Sequence, residues 1–177
     1  MEEIELNDLA KKCEDGDMDA CYALGVAYNN GMEAAQDLRK AKELFSKACD
    51  SGHMGACSYL GGLYIDGDVV KKDYPKGIEL FKRSCAAGEM LGCVCLGVLY
   101  KEGKGVKQDF QKAKELFKKA CDADNLGACI NLGKLYESGK GLRQDFQKAK
   151  ELFKKACDGG NEVGCENYKR LNEQGVK

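Results

Sequence analysis

A period of 36 residues runs through almost the whole chain and constrains its fold more than any other feature. Ten cysteines keep this spacing in two series, each with one member per period. The first series is Cys13, Cys49, Cys85, Cys121 and Cys157, and the second is Cys21, Cys57, Cys93, Cys129 and Cys165. The segments 108–121 and 144–157 are identical in sequence. Such repetition is typical of arrays in which each unit buries its apolar face against its neighbours.

The first half of each period has the pattern of an amphipathic helix. In the second copy, residues 54–66, the pattern places Cys57, Leu60 and Tyr64 on one stripe of the helix. A glycine, Gly67 in this copy, follows the last residue of the pattern, as is typical of a helix C-terminus. Because period-2 alternation is absent from the sequence, we predict an all-α protein.

The second half of each period predicts another helix, which begins with an aspartate as N-cap. In the copy at 73–86, Asp73 precedes Pro75, and a proline is tolerated in the first helical turn. The same cap recurs at Asp37, Asp109 and Asp145. A glycine lies in the short connection to the next period, except in the fourth copy, where Asp124 takes this position. We expect Asp124 to adopt a positive φ, which aspartate tolerates better than most residues.

Composition excludes several classes of protein. The 28 basic and 29 acidic side chains give a net charge of −1, whereas nucleic-acid-binding domains are usually strongly basic. No apolar run approaches the length of a membrane-spanning helix. The chain has one histidine, His53, so a zinc site built on several histidines is excluded. We predict no metal site and no cofactor.

The repeat resembles a known family. The pattern Leu-Gly-x-x-Tyr-x-x-Gly, at 60–67 for example, is similar to that of the Sel1-like repeat, a relative of the tetratricopeptide repeat. The added Cys-x7-Cys resembles the cysteine-rich branch first described in Helicobacter. The resemblance implies a right-handed α-solenoid of antiparallel helix pairs with a concave groove, secreted or periplasmic, with one disulfide per helical hairpin. We expect a single domain over residues 1–177, with the array at about 13–175 and residues 1–12 as a leading half-repeat helix.

The resemblance and the spacing predict a disulfide between each first-series cysteine and the second-series cysteine eight residues later. The predicted pairs are Cys13–Cys21, Cys49–Cys57, Cys85–Cys93, Cys121–Cys129 and Cys157–Cys165. The alternatives are buried reduced cysteines, which pack as small apolar side chains, and a zinc site, for which this spacing is unusual. We expect Cys95 to remain a thiol, and a disulfide between two Cys95 residues would be a route to a dimer of an otherwise monomeric protein.

Disulfides require an oxidising compartment, so we expect export from the cytoplasm. The acidic N-terminus lacks the pattern of a signal peptide, so a signal would already have been removed if the protein is exported. Positions of the first helices that do not obey the repeat are candidates for a ligand groove. These candidates are Tyr59, Val98, Asn131, Lys134, Asn167 and Arg170.

We expect the protein to bind a peptide or protein partner in this groove. Asn131 and Asn167 lie one period apart, a spacing suited to holding a peptide backbone, and Lys134 and Arg170 would hold a carboxylate. The alternative, implied by the cysteine-rich branch, is a penicillin-binding protein with weak β-lactamase activity whose ligand is a β-lactam or a peptidoglycan-like molecule. The residues favour a non-enzyme, because no serine has lysine three residues later and the chain lacks threonine, so Ser-x-x-Lys and Lys-Thr-Gly are absent. We therefore predict no catalytic residue.

Overall fold

Helices of twelve or thirteen residues alternate with short connections in a computed structural model, which describes residues 2–31 and 35–176. Within these residues the structure contains ten helices and no strand, as the sequence predicts. The helices are α1 (Glu2–Glu14), α2 (Met18–Asn30), α3 (Leu38–Asp50), α4 (Met54–Asp66), α5 (Tyr74–Ala86), α6 (Met90–Glu102), α7 (Phe110–Asp122), α8 (Leu126–Ser138), α9 (Phe146–Asp158) and α10 (Glu162–Glu173). The prediction of an all-α repeat fold of the α-solenoid class is confirmed.

The chain divides into two units, an N-terminal unit of Met1–Gly92 and a C-terminal unit of Cys93–Lys177. In the N-terminal unit, each helix from α1 to α5 packs against the next one along the chain. In the C-terminal unit, α7 to α10 pack in the same sequential way, and α10 also contacts α8. Each unit is thus built from stacked helical hairpins.

Helix ends are set by the residues that the sequence singles out. The predicted N-caps Asp37, Asp73, Asp109 and Asp145 all accept hydrogen bonds from backbone N–H groups in the first turn of the following helix. Gly67 ends α4 with a φ of 80°, and its N–H donates to the carbonyl of Leu63. Asp124 has a φ of 61°, which confirms the prediction for this position.

Across the longer loop of each repeat, a phenylalanine of the second helix packs on a glycine of the first. Phe153 of α9 is fully buried, and a Cβ added to Gly133 of α8 would lie 2.6 Å from its ring. Phe45 meets Gly25 in the same way in the N-terminal unit, at 2.7 Å. Because glycine has no Cβ, it lets the two helices approach across the aromatic ring.

Disulfides join the two helices that meet at the short turn, which confirms the prediction of one disulfide per hairpin. The bonds Cys13–Cys21, Cys49–Cys57, Cys121–Cys129 and Cys157–Cys165 have Cα–Cα distances of 4.4–4.7 Å. Cys85 and Cys93 are disulfide-bonded as well. Cys95 carries a thiol and is half-buried.

Basic side chains link successive repeats at the disulfides, a role that the sequence did not indicate. Lys47 Nζ donates to the carbonyl oxygen of Cys13 at 2.6 Å, 34 residues earlier in the chain. Arg83 Nη2 makes the equivalent bond to Cys49 at 3.1 Å. Lys155 Nζ donates in the same way to the carbonyl oxygen of Cys121 at 2.8 Å. Each donor satisfies a carbonyl in the last turn of the preceding second helix, where the helix dipole favours a cation.

The Asp145 cap predicts a measurable pH dependence of stability. The backbone N–H of Lys148 donates to its carboxylate at 2.9 Å and, with the side chain of Lys148, holds the pKa of Asp145 below its usual range. A lowered folded-state pKa means that the stabilisation is complete above the unfolded-state value of about 3.9 and is lost as the pH falls through the folded-state value. We expect Asp145→Asn, which keeps a capping oxygen without the charge, to melt at a lower temperature than the wild type at neutral pH.

This difference should shrink as the pH falls from about 7 towards about 2, because the wild-type carboxylate becomes protonated as the pH passes through its folded-state pKa. Thermal unfolding followed by circular dichroism at both pH values measures it. An equal difference in melting temperature at both pH values would contradict the interpretation.

Candidate binding surfaces

A polar strip in the C-terminal unit contains three of the six predicted groove residues. Asn131 of α8 donates through Nδ2 to the carbonyl of Gly127 at 3.0 Å, and Asn167 of α10 donates to that of Val163 at 2.7 Å. Each amide is thus held by its own helix, one turn back. Arg170 Nη2 donates to Asn167 Oδ1 at 3.1 Å. The strip therefore presents amide groups in fixed orientations.

Arg170 already holds a carboxylate of the protein itself. Its Nη1 lies 2.7 Å from Oε1 of Glu137 on α8, and the Glu137 side chain is only 22% exposed. A ligand carboxylate at Arg170 would have to displace Glu137 or bind beside it. Lys134, predicted to act together with Arg170, instead lines a separate cleft with Lys101 and Lys140. The sequence pattern did not single out Glu137 as a partner of Arg170.

Tyr59, the predicted groove residue of the N-terminal unit, belongs to an aromatic cluster with Tyr22, Phe45 and His53. The Tyr59 ring stacks on Phe45 with centroids 5.0 Å apart and meets the edge of Tyr22 at 5.7 Å. Burial raises the pKa of Tyr22, and the neighbouring Tyr59 hydroxyl adds to this shift. The cluster is partly buried against the core of this unit, so Tyr59 presents only part of its ring.

His53 has a structural role at the start of α4. Its Nδ1 accepts a hydrogen bond from the backbone N–H of Ala56 at 3.0 Å, so it is the N-cap of the helix. An accepting Nδ1 leaves the proton of the neutral ring on Nε2, which lies 3.4 Å from Oδ1 of Asp19. The ring also stacks on Tyr22 with centroids 4.4 Å apart. His53 therefore caps α4 and packs on Tyr22.

The remaining predicted groove residue and a serine pair lie against apolar cores. Val98 packs on the cluster around Phe117 in the C-terminal unit. In the N-terminal unit, Ser58 and Ser84 are 2% and 0% exposed, with their Oγ atoms 2.5 Å apart. Ser84 donates to the carbonyl of Met54, so Ser58 must donate to Ser84. Both hydroxyls are satisfied inside the protein and are closed to a substrate.

The model of the Sel1 repeat matches four successive segments of the chain, residues 19–53, 55–89, 91–125 and 127–161. The chain is a Sel1 repeat protein. These segments cover most of the sequence, so the resemblance drawn from the Leu-Gly-x-x-Tyr-x-x-Gly pattern is confirmed. No curated protein matches the sequence significantly.

Solved structures of other Sel1 repeat proteins are similar to this one. A protective antigen of uropathogenic Escherichia coli with an SLR fold is 30% identical over 96% of this chain and 36% of its own, with a TM-score of 0.81. This Sel1 repeat protein thus spans about a third of the length of that antigen. A Sel1 repeat protein from Oxalobacter formigenes, 22% identical, covers 97% of this chain and 68% of its own with a TM-score of 0.86, which supports the fold.

The Helicobacter pylori cysteine-rich protein B is 31% identical over 74% of this chain and 94% of its own, with a TM-score of 0.59. Sel1 repeats generally mediate protein–protein interactions. Repeated disulfides are typical of an oxidising, extracytoplasmic environment. Among the described residues, no helix has the length and apolar character needed to cross a membrane.

Proposed function

We propose that this Sel1 repeat protein is an extracytoplasmic scaffold, periplasmic or secreted, that binds a peptide or protein partner on the first helices of its repeats. The observation that carries the proposal is the polar strip of the C-terminal unit, in which Asn131 and Asn167 occupy the same column one repeat apart. Both side chains are oriented by hydrogen bonds to their own helices. Amides that are fixed before binding lose less conformational entropy when a ligand arrives.

The hydrogen bonds of the strip indicate how a peptide would be held. The Nδ2 group of Asn131 is engaged by Gly127, which leaves its Oδ1 atom to accept an N–H of a peptide backbone. The Arg170 side chain, which is 41% exposed, would bind a carboxylate of the partner in place of the Glu137 carboxylate. Binding would thus replace an internal ion pair with an intermolecular one.

Selection of short peptides from a random phage library on the oxidised protein tests this proposal. We expect Asn131→Ala combined with Asn167→Ala to lower the affinity for the selected peptides by about tenfold in calorimetric titrations. The reason is that two hydrogen bonds of about 0.5–1.5 kcal/mol each are lost. Gln147→Ala combined with Asn172→Ala is the matched control, since it removes two exposed amides outside the strip. Equal affinities for the double variant and the wild type, or a selection that enriches no peptide, would refute peptide binding by the strip.

The β-lactam alternative, an enzyme that hydrolyses penicillins weakly, rests on the family resemblance. The buried serine pair Ser58–Ser84 gives it no accessible nucleophile. Because no structural observation favours this activity, we propose the interaction scaffold alone.

A further inference from the structure

The near-zero net charge of the chain hides a strong segregation of charge between its two units. Met1–Gly92 contains 11 basic and 17 acidic side chains, a net charge of −6. Cys93–Lys177 contains 17 basic and 12 acidic side chains, a net charge of +5. The C-terminal unit alone is therefore a basic domain, and its field attracts anionic partners.

Several of these basic side chains lie at the two longer loops of this unit. We use the term basic edge for the loops 103–109 and 139–145 together with the helix ends that adjoin them. Three clefts of about 670, 590 and 610 Å³ open along the basic edge. Four cationic side chains of these clefts are Lys107, Lys134, Lys140 and Arg143.

These four cations are not neutralised by the protein. Within the described ranges, 2–31 and 35–176, their side chains make no hydrogen bond or ion pair. Lys154 on α9, in contrast, lies 2.6 Å from the Asp158 carboxylate. In the described ranges, these four cations of the basic edge are thus available to pair with anionic groups of a ligand.

The carboxylates of the basic edge are already engaged within the unit. The backbone N–H of Lys112 donates to the carboxylate of Asp109 and holds its pKa below the usual range, and the N-cap Asp145 is bound in the same way by Lys148. Glu102 lies 2.8 Å from Lys104, and this hydrogen bond lowers the pKa of Glu102. The net field of the edge is therefore positive.

Two aromatic rings of the clefts, those of Tyr100 and Tyr136, do not suit nucleic acid. Lys112 Nζ lies 5.2 Å from the centroid of the Tyr100 ring and Lys148 Nζ lies 5.4 Å from that of Tyr136. A ring face covered by an ammonium group is closed to base stacking, the main contact of single-strand binders. Apolar surface is nevertheless present, since Phe146 beside Asp145 is 40% exposed.

From these observations we propose that the basic edge docks an acidic, partly apolar segment of a protein partner. The proposal rests on the role of an interaction scaffold and adds a second surface with its own partner chemistry. Carboxylates of the segment would pair with Lys107, Lys140 and Arg143 in adjacent clefts, and an apolar side chain would cover Phe146. Disulfides place the protein in an oxidising environment, where an acidic protein segment is a more fitting anion than nucleic acid.

Fluorescence anisotropy with the full oxidised chain tests the proposal. The probe is a labelled peptide of about a dozen residues with a repeating Glu-Gly-Leu sequence, and the comparison peptide has Gln in place of Glu. We expect the acidic peptide alone to bind, with an affinity that falls as salt screens the charges. Lys107→Gln, Lys140→Gln and Arg143→Gln combined should weaken it by about tenfold, since each exposed ion pair contributes about 0.2–1 kcal/mol.

The charge-matched control combines Lys118→Gln, Lys154→Gln and Lys169→Gln, which removes the same charge from lysines that pair with carboxylates one helical turn away. An equal loss of affinity in both triple variants would mean that binding depends on net charge alone and would overturn the proposal. So would binding of oligothymidine or of phosphatidylglycerol vesicles at least as tight as that of the acidic peptide. The asparagine double variant should lose affinity for the phage-selected peptides and keep its affinity for the acidic peptide. This comparison distinguishes a failure of the present proposal from a failure of peptide binding by the polar strip.

Discussion

Phe153→Ala is expected to lower the free energy of unfolding by about 3–5 kcal/mol. The ring is fully buried between α9 and α8, against the backbone of Gly133. Removing it leaves a cavity between α8 and α9, and the cost depends on how far these two helices can move together to fill it. Denaturant unfolding under oxidising conditions measures the loss.

A double-mutant cycle with Gly133 checks the contact itself. Gly133→Ala alone should destabilise, because its Cβ would lie 2.6 Å from the Phe153 ring and overpacking costs about 1–3 kcal/mol, more than the helix propensity gained. In the Phe153→Ala background the same change should be neutral or stabilising. Gly62→Ala is the control, since a Cβ there meets nothing within 4 Å and should stabilise α4 by up to about 1 kcal/mol. Additive effects of the Gly133 and Phe153 substitutions would refute the packing described.

Replacing Cys49 and Cys57 with alanine is expected to cost about 2.5 kcal/mol of unfolding free energy, the chain-entropy value for a loop of this length. Both residues are at most 1% exposed, so alanine leaves the surrounding packing nearly filled. The bridge also fixes the Cys49 carbonyl that Arg83 binds at 3.1 Å, so the link to the following repeat should weaken as well.

Urea unfolding without reductant compares the double variant with the wild type. Cys95→Ala is the control, since it removes a half-buried sulfur that takes part in no disulfide. We expect the control to lower the unfolding midpoint much less than the double variant does. Equal midpoints for the double variant and the wild type would mean that the bridge contributes nothing to stability.

The helices could be predicted from the sequence because the signals for them are local. Asp73 and Pro75 mark a helix start, and Gly67 marks an end, without reference to the rest of the chain. The period then places every further copy, including Asp124, whose positive φ follows from its alignment with glycines. The same alignment pairs the cysteines at the turns.

The contacts between repeats could not be predicted, since they depend on side chains more than thirty residues apart. Lys47 and Lys155 have the sequence context of solvated lysines, yet they bind the carbonyls of Cys13 and Cys121. Arg170 was predicted to bind a ligand carboxylate, because nothing in the local sequence pattern indicates its ion pair with Glu137. The basic edge was hidden for a different reason, because whole-chain composition averages two units of opposite charge.

The identity of the segments 108–121 and 144–157 has a consequence for how such a chain changes length. Recombination between the two coding stretches would remove residues 109–144, one whole period, and would join Gln108 to Asp145 in the original reading frame. The N-cap, the buried Phe153 and the basic donor Lys155 would then follow α6 at the same spacings as Asp109, Phe117 and Lys119 do now. A chain of this kind gains or loses binding surface in steps of one whole repeat, and the contacts between neighbouring repeats stay the same. We therefore expect its relatives to differ widely in length.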